Sequence, residues 1–183
     1  MAEHESGEHD WLGGVVCFVD RAEIASAMIA AVEAKWNALR GSGPNPSRAF
    51  PARAEIDPVA FRPWLPYLSL VEIHPAIPPA PFRIRYRLVG TEVARFAEED
   101  FGNKWLEETG WAPEIMAVNM ALYQRVWESR APAFGRSLVD WDLQEKYSFE
   151  WGLFPLSDDG HAINGCLSVD DFTAIAGRTE MLR

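Results

Sequence analysis

The stretch Phe82-Arg83-Ile84-Arg85-Tyr86-Arg87-Leu88-Val89-Gly90-Thr91 decides the fold. Apolar residues at 82, 84, 86 and 88 alternate with arginines at 83, 85 and 87. Only an extended strand turns a period of two into two distinct faces. The spacing predicts a strand with one apolar and one basic face, stopped at Gly90. An apolar face of that kind must be covered by something else in the chain.

Upstream, Leu68 to His74 reads as a second strand, and Pro75, Pro78, Pro79 and Pro81 make a stiff connector between the two. Asp57-Pro58 marks a helix start, which Pro63 and Pro66 hold to one or two turns. The loop from Gly41 to Pro51 is rich in Gly, Pro, Ser and Asn. Before it, Asp20 with Glu23 suggests a capping box. Ile24, Met28, Val32, Trp36 and Leu39 then recur at helical spacing, and Gly41 ends the helix. Residues 1–14 carry no hydrophobic period. The organisation expected is a flexible N-terminus over 1–19, an amphipathic helix over 20–41 and one domain over 42–183.

Downstream, Thr91 caps a short helix reaching Glu99, and Phe101-Gly102 turns the chain. Pro113 opens a long helix to about Ser129, with Met116, Met120, Tyr123 and Trp127 on one stripe and Ile115, Val118, Leu122 and Val126 on another. The last third is strand-like over Ala133–Trp141, Tyr147–Leu156 and Ala162–Phe172. Asp158-Asp159-Gly160 is a tight-turn signal that pairs the last two. Two strands, a helical crossover and three strands make an α+β domain: a five-stranded antiparallel sheet with helices on one face, plus the N-terminal helix.

Composition narrows the function. The chain has 183 residues, enough for one sizeable core. Eight Trp and ten Phe supply much buried area. A formal net charge of -10 argues against nucleic acid and against anionic membrane, both of which attract basic surfaces. The N-terminus shows neither a basic region nor an apolar run of the secretory type, which places the expected location in the cytoplasm. Cys17 and Cys166 match no metal-ligand spacing and read as free thiols.

No catalytic constellation stands out. There is no Gly-x-Ser-x-Gly elbow, no phosphate-binding glycine loop and no pair of His at helical spacing. His74 or His161 would serve as a haem ligand only by pointing into a cavity, and a solvent-facing role at a strand end or turn is preferred. Arg83, Arg85 and Arg87 read as a solvated sheet face paired with carboxylates such as Glu72 or Glu150. The Arg53 and Asp57 pair reads as a structural salt bridge or cap.

A set of local motifs runs through this element order. Trp36, Leu39 and Arg40, then Pro51-Ala52-Arg53, Ile56-Asp57-Pro58 and Leu65-Pro66 belong to the pattern. So do Tyr86-Arg87-Leu88-Val89-Gly90-Thr91 and Asp100-Phe101-Gly102-Asn103-Lys104. Over roughly residues 30–172 the chain resembles bacterial stand-alone PAS-like proteins with an N-terminal helix and a proline-rich lead-in. That resemblance implies spatial strand order 2-1-5-4-3 and a cavity between sheet and helices. It also implies a sensory or interaction role. The light-sensing, flavin-binding branch is set aside, because residues 91–129 contain no Cys. No cofactor is expected.

Tyr86, Trp105, Met116, Met120, Tyr123, Phe134 and Trp151 are the residues expected to face the cavity, with a filled core as the alternative. The functional expectation is a sensory or regulatory module that binds a small, mostly apolar ligand and signals through a partner protein. A homodimer paired through the Ile24 to Leu39 stripe is expected with it. Two other readings compete. One is a pure interaction module with a closed core. The other is an enzyme on a different cone-like α+β fold, with Asp140 or Asp142 as a pocket acid.

Overall fold

The structure, a computed structural model, describes residues 9–11, 14–42, 49–76, 81–142 and 145–174. Seven strands, β1 (His9–Trp11), β2 (Gly14–Phe18), β3 (Leu68–Pro75), β4 (Phe82–Val89), β5 (Ala133–Asp142), β6 (Glu145–Leu156) and β7 (Gly165–Asp171), form one antiparallel sheet. Their spatial order is β1-β2-β5-β6-β7-β3-β4. The five strands from β3 onward therefore stand in the order 2-1-5-4-3 that the resemblance implied. The α-helices are α1 (Ala27–Ser42), α2 (Thr91–Phe96) and α3 (Pro113–Ser129).

Two features go beyond the expectation. Residues 9–11 and 14–18 form a hairpin that lengthens the sheet, with Val16 opposite Ser137 and Phe18 opposite Gly135. The N-terminus was expected to be flexible because so short a run of apolar residues shows no period. The edge of β5 supplies the backbone partners that its own sequence lacks.

The second feature is that helices cover both faces. α2 and α3 lie on one face. α1 lies on the other, where its stripe of Ile29, Val32 and Trp36 is fully buried against the sheet. The Trp36 indole N–H donates to the Pro155 carbonyl at 2.9 Å, and its ring meets Phe154 at 5.8 Å. The stripe expected to pair two copies covers the chain's own sheet instead.

The helix also starts later than Asp20. The Asp20 N–H does donate to Glu23 Oε1 at 3.0 Å, but the turn it closes, Arg21–Glu23, is an isolated 3-10 turn. Ser26 caps α1 proper, its Oγ accepting from the Ile29 N–H at 3.1 Å. The Glu150 carboxylate from β6 takes the Ala25 N–H at 2.9 Å and the Ser26 N–H at 2.7 Å. An acid on the first amides of a helix satisfies orphan donors and meets the positive end of its dipole. The Ser26 hydroxyl also donates to Asp171 of β7.

The family-like motifs are close backbone approaches. Gly90 ends β4 against residues 65–66, where an added Cβ would lie 2.2 Å from the Pro66 carbonyl oxygen. Only glycine permits that approach. Pro51 accepts from the Ser157 N–H at 2.9 Å, pinning the lead-in to the β6–β7 connection. Asp57 caps the Val59 N–H at 2.9 Å, and Arg53 pairs with Glu72 rather than with Asp57. In the β6–β7 connection, Asp159 gathers the His161 and Ala162 N–H groups at 2.7 and 2.8 Å. The expected α-helix after Pro58 is a series of turns ending in the 3-10 turn Leu65–Tyr67.

Candidate functional site

The basic face of β4 is largely neutralised. Arg83 donates to Glu107 at 2.6 Å and lies 4.0 Å over the Trp105 ring. Arg87 stands 3.4 Å from Glu72, which also meets Arg53 and His74. Burial works to raise the Glu72 pKa, but the His74 hydrogen bond and the Arg53 and Arg87 charges outweigh it and hold the carboxyl below its usual range. Glu150 serves Arg136, at 3.2 Å, and α1 rather than this row. A register shift at Leu70/Val71 places Leu88 opposite Leu70 and Tyr86 opposite Val71. Leu88 therefore leaves the apolar face, and it is 40% exposed.

The other face of the sheet holds a partly enclosed cavity of about 140 Å³ beneath α2 and α3. Tyr86, Phe101 and Trp111 wall one end, with Tyr86–Phe101 and Phe101–Trp111 ring centroids both 4.8 Å apart. Phe96, Phe149 and Phe172 wall another, with Phe96 stacked on Phe172 at 4.3 Å. Helix α3 contributes Ile115, Asn119, Leu122 and Tyr123. The sheet floor adds Ser69, Ser137, Leu153, Ser168 and Asp170.

Cross-strand register explains how the floor is built. Phe18, Gly135, Trp151 and Asp170 stand in one row across β2, β5, β6 and β7. Gly135 leaves room for the indole to lie across β5 onto Phe18, whose ring centroid is 5.4 Å away. A Cβ on Gly135 would fall 2.1 Å from Trp151 Cζ2. The Trp151 Nε1 is buried and makes no hydrogen bond among the described residues. A buried indole N–H without a partner costs free energy on the order of 1–3 kcal/mol.

The other polar groups differ in how far they are satisfied. Tyr86 Oη donates to Asn119 Oδ1 at 3.0 Å, and Asn119 Nδ2 donates to the Ile115 carbonyl at 3.0 Å. The Tyr123 hydroxyl interacts with Tyr86 in turn, and burial pushes both phenols well above their usual range. Asp170 has less support. Its partner is the Ser168 hydroxyl, which donates at 3.3 Å. Burial drives the Asp170 carboxyl up to about 7, only partly offset by that hydrogen bond. Among the described residues that line the cavity there is no Lys, Arg or His.

Of the residues expected to face the cavity, the structure brings Tyr86, Tyr123 and Trp151 together. Trp105 lies on the opposite side of β4, 5.1 Å from the His74 ring. Phe134 is one residue out of phase with Gly135, so it packs against Phe154 at 5.8 Å on the α1 face. Met116 and Met120 are partly buried against the core but do not line the cavity. Asp140 and Asp142, the acids of the enzyme reading, have side chains outside the described residues; so does His4, while His9 falls in β1. His74 and His161 do not line the cavity, and the described residues hold no metal-ligating cluster. Pro78 and Pro79 also lie outside the described residues.

Asn119, Asp170 and the serines were not anticipated. A search for apolar stripes passes over a polar residue within one, although Asn119 stands four residues from both Ile115 and Tyr123. Asp170 shared the alternation of Ser168, a signal available once the β6–β7 pairing was expected.

No helix of the described residues is long and apolar enough to cross a membrane. No curated protein matches the chain. A family model described as a PAS domain matches residues 24–168, which runs from just before α1 into β7 and includes Tyr86, Tyr123, Trp151 and Ser168. With that match, the observed strand order and the cavity between sheet and α3, the chain belongs to the PAS domain family.

Proposed function

We propose that this PAS domain is a sensor whose cavity takes up a small, mostly apolar molecule and passes the event to a partner protein. The observation that supports it best is the combination of a ring-sized cavity with a buried donor, Trp151 Nε1, that has no hydrogen-bond partner among the described residues. A dry apolar cavity of about 150 Å³ accepts benzene or xenon, and this one is of similar volume, about 140 Å³. It is too small for a flavin or a haem.

The output route follows from the strand period. Trp151 and Asp170 face the cavity, while their neighbours Glu150 and Asp171 hold the start of α1 on the opposite face. A molecule that moves Trp151 or Asp170 biases how tightly that clamp closes, and α1 presents the change to a partner. Native mass spectrometry of freshly purified protein tests the uptake, with ¹²⁹Xe NMR reporting the cavity. The expected results are a retained small molecule, or xenon uptake once the protein is stripped. A bare chain that also excludes xenon would leave the closed-core interaction module in its place.

A further inference from the structure

The lining restricts the class of molecule, and the restriction rests on the sensing role just proposed. Asp170 is a half-buried acid on the floor of a mostly apolar cavity, and its hydrogen-bond partner among the described residues is one neutral hydroxyl. A carboxylate held partly away from water without a counter-cation is disfavoured in its charged form and gains from one. The rise of its pKa to about 7 fits a carboxyl that lacks a counter-cation. Ring walls add to this. Tyr86, Phe101 and Phe149 turn aromatic surface toward the same space, and the negative faces of such rings attract cations. An anion would meet the Asp170 charge with no basic side chain to offset it among the described lining residues. The net charge of -10 also draws cations toward the protein.

We propose that the cavity selects a small organic cation: a protonated amine on a single-ring or similarly sized apolar body, carrying an oxygen as well. The ammonium pairs with Asp170, the body fills the space between the aromatic walls, and the oxygen accepts from Trp151 Nε1. Selection by charge comes from Asp170 and selection by the oxygen comes from Trp151. The two residues are cross-strand neighbours, and both line the cavity.

Four probes with one body separate these terms: benzylamine, 3-hydroxybenzylamine, benzyl alcohol and benzoate, titrated by calorimetry and by NMR shifts of the tryptophan indoles at pH 7.5. The expected order is 3-hydroxybenzylamine, benzylamine, benzyl alcohol, with benzoate not binding. Asp170→Asn should weaken benzylamine by about tenfold or more, as loss of a charge-assisted hydrogen bond does, while benzyl alcohol changes by less than about twofold and so reports an intact cavity. Trp151→Phe should remove the advantage of 3-hydroxybenzylamine over benzylamine, with benzylamine as the control for folding. Benzoate binding as tightly as benzylamine, or an amine preference that survives Asp170→Asn, overturns the proposal. If no probe binds but xenon enters, the charge selection fails and the sensing pocket stands; if xenon is excluded too, both fall.

Discussion

Replacing Asp170 by Asn should make the protein more stable at neutral pH, and the gain should vanish in acid. Asp170 lies on β7 against the cavity, with the Ser168 hydroxyl at 3.3 Å as its hydrogen-bond partner. The titratable groups near it are Tyr86 and Tyr123 from neighbouring elements and Cys166 on β7, and burial pushes all three upward, so they stay neutral. In the unfolded chain the carboxyl titrates at its ordinary value of 3.8, and in the fold at about 7. Between those values the native state holds a proton that the unfolded state has released. Native stability from this group is thus fully present below about pH 4 and is lost as pH rises to about 7. At about 1.4 kcal/mol per pH unit the loss is at most roughly 4 kcal/mol, and the partial solvent exposure of Asp170 screens it below that figure. Asn carries no such penalty. Urea denaturation of both proteins from pH 4 to 8.5 should show the stability difference growing in favour of Asp170→Asn up to about pH 7 and then levelling. Other carboxylates titrate in both proteins and cancel. A difference independent of pH, or one that grows toward acid, would refute the raised titration of this carboxyl. Saturating benzylamine at pH 7.5 should shrink the difference by supplying the missing counter-ion.

Gly135→Ala should cost about 2 kcal/mol or more in urea denaturation, since its Cβ would meet both Trp151 Cζ2 at 2.1 Å and the Cys17 carbonyl at 2.3 Å; a change in tryptophan emission should accompany it, and an unchanged midpoint would place the indole elsewhere. Glu150→Gln removes the charge from the first amides of α1 and from Arg136, for a loss of about 1–2 kcal/mol by the same measurement. Tyr86→Phe leaves Asn119 Oδ1 without its donor and should cost about 1–2 kcal/mol, with Asn119→Ala as the paired variant in a double-mutant cycle. The buried Cys166 thiol, its pKa raised by burial, should resist alkylation at pH 8 until the protein unfolds, while the half-buried Cys17 reacts earlier.

The parts of the fold visible in the sequence are those with a simple period. The alternation at 82–86 declared a strand, and its neighbours declared the sheet order once the PAS likeness was recognised. The hairpin of β1 and β2 carried no such signal, because its partner edge on β5 is more than 110 residues away, at Ser137 opposite Val16. Site prediction failed where a count of parity was needed. Phe134 and Trp151 both look like cavity aromatics, but the register sets Gly135 opposite Trp151 and thereby turns Phe134 to the α1 face. Trp105 precedes a 3-10 turn and docks on the edge of β4, a placement that no period encodes. Polar cavity residues were hidden by the assumption that a pocket for an apolar molecule is lined by apolar side chains, whereas the few polar groups in such pockets are what give selectivity.

The two faces of β6 and β7 argue for transmission through the sheet. Along β6, Phe149, Trp151 and Leu153 line the cavity, and the residues between them, Glu150 and Gly152, face α1. Along β7, Ser168 and Asp170 line the cavity, and Asp171 receives the Ser26 hydroxyl. One-residue spacing on a strand sets opposite faces about a strand's thickness apart, so no side chain needs to move far for one face to sense the other. Gly152 brings Ile29 of α1 close to the strand: a Cβ there would sit 3.1 Å from the Ile29 side chain. A cation drawn to Asp170 would change the charge balance one residue from Asp171, and a body wedged against Trp151 would shift the strand that carries Glu150. On the proposed sensing role, both events would reach the first turn of α1, the segment held to the sheet by side-chain hydrogen bonds rather than by packing alone. If that coupling operates, hydrogen exchange at Ala25, Ser26 and Ile29 should slow on addition of 3-hydroxybenzylamine, and the effect should disappear in Glu150→Gln while binding itself persists. Exchange at those amides that ignores the ligand would confine its influence to the cavity and remove α1 as the output element.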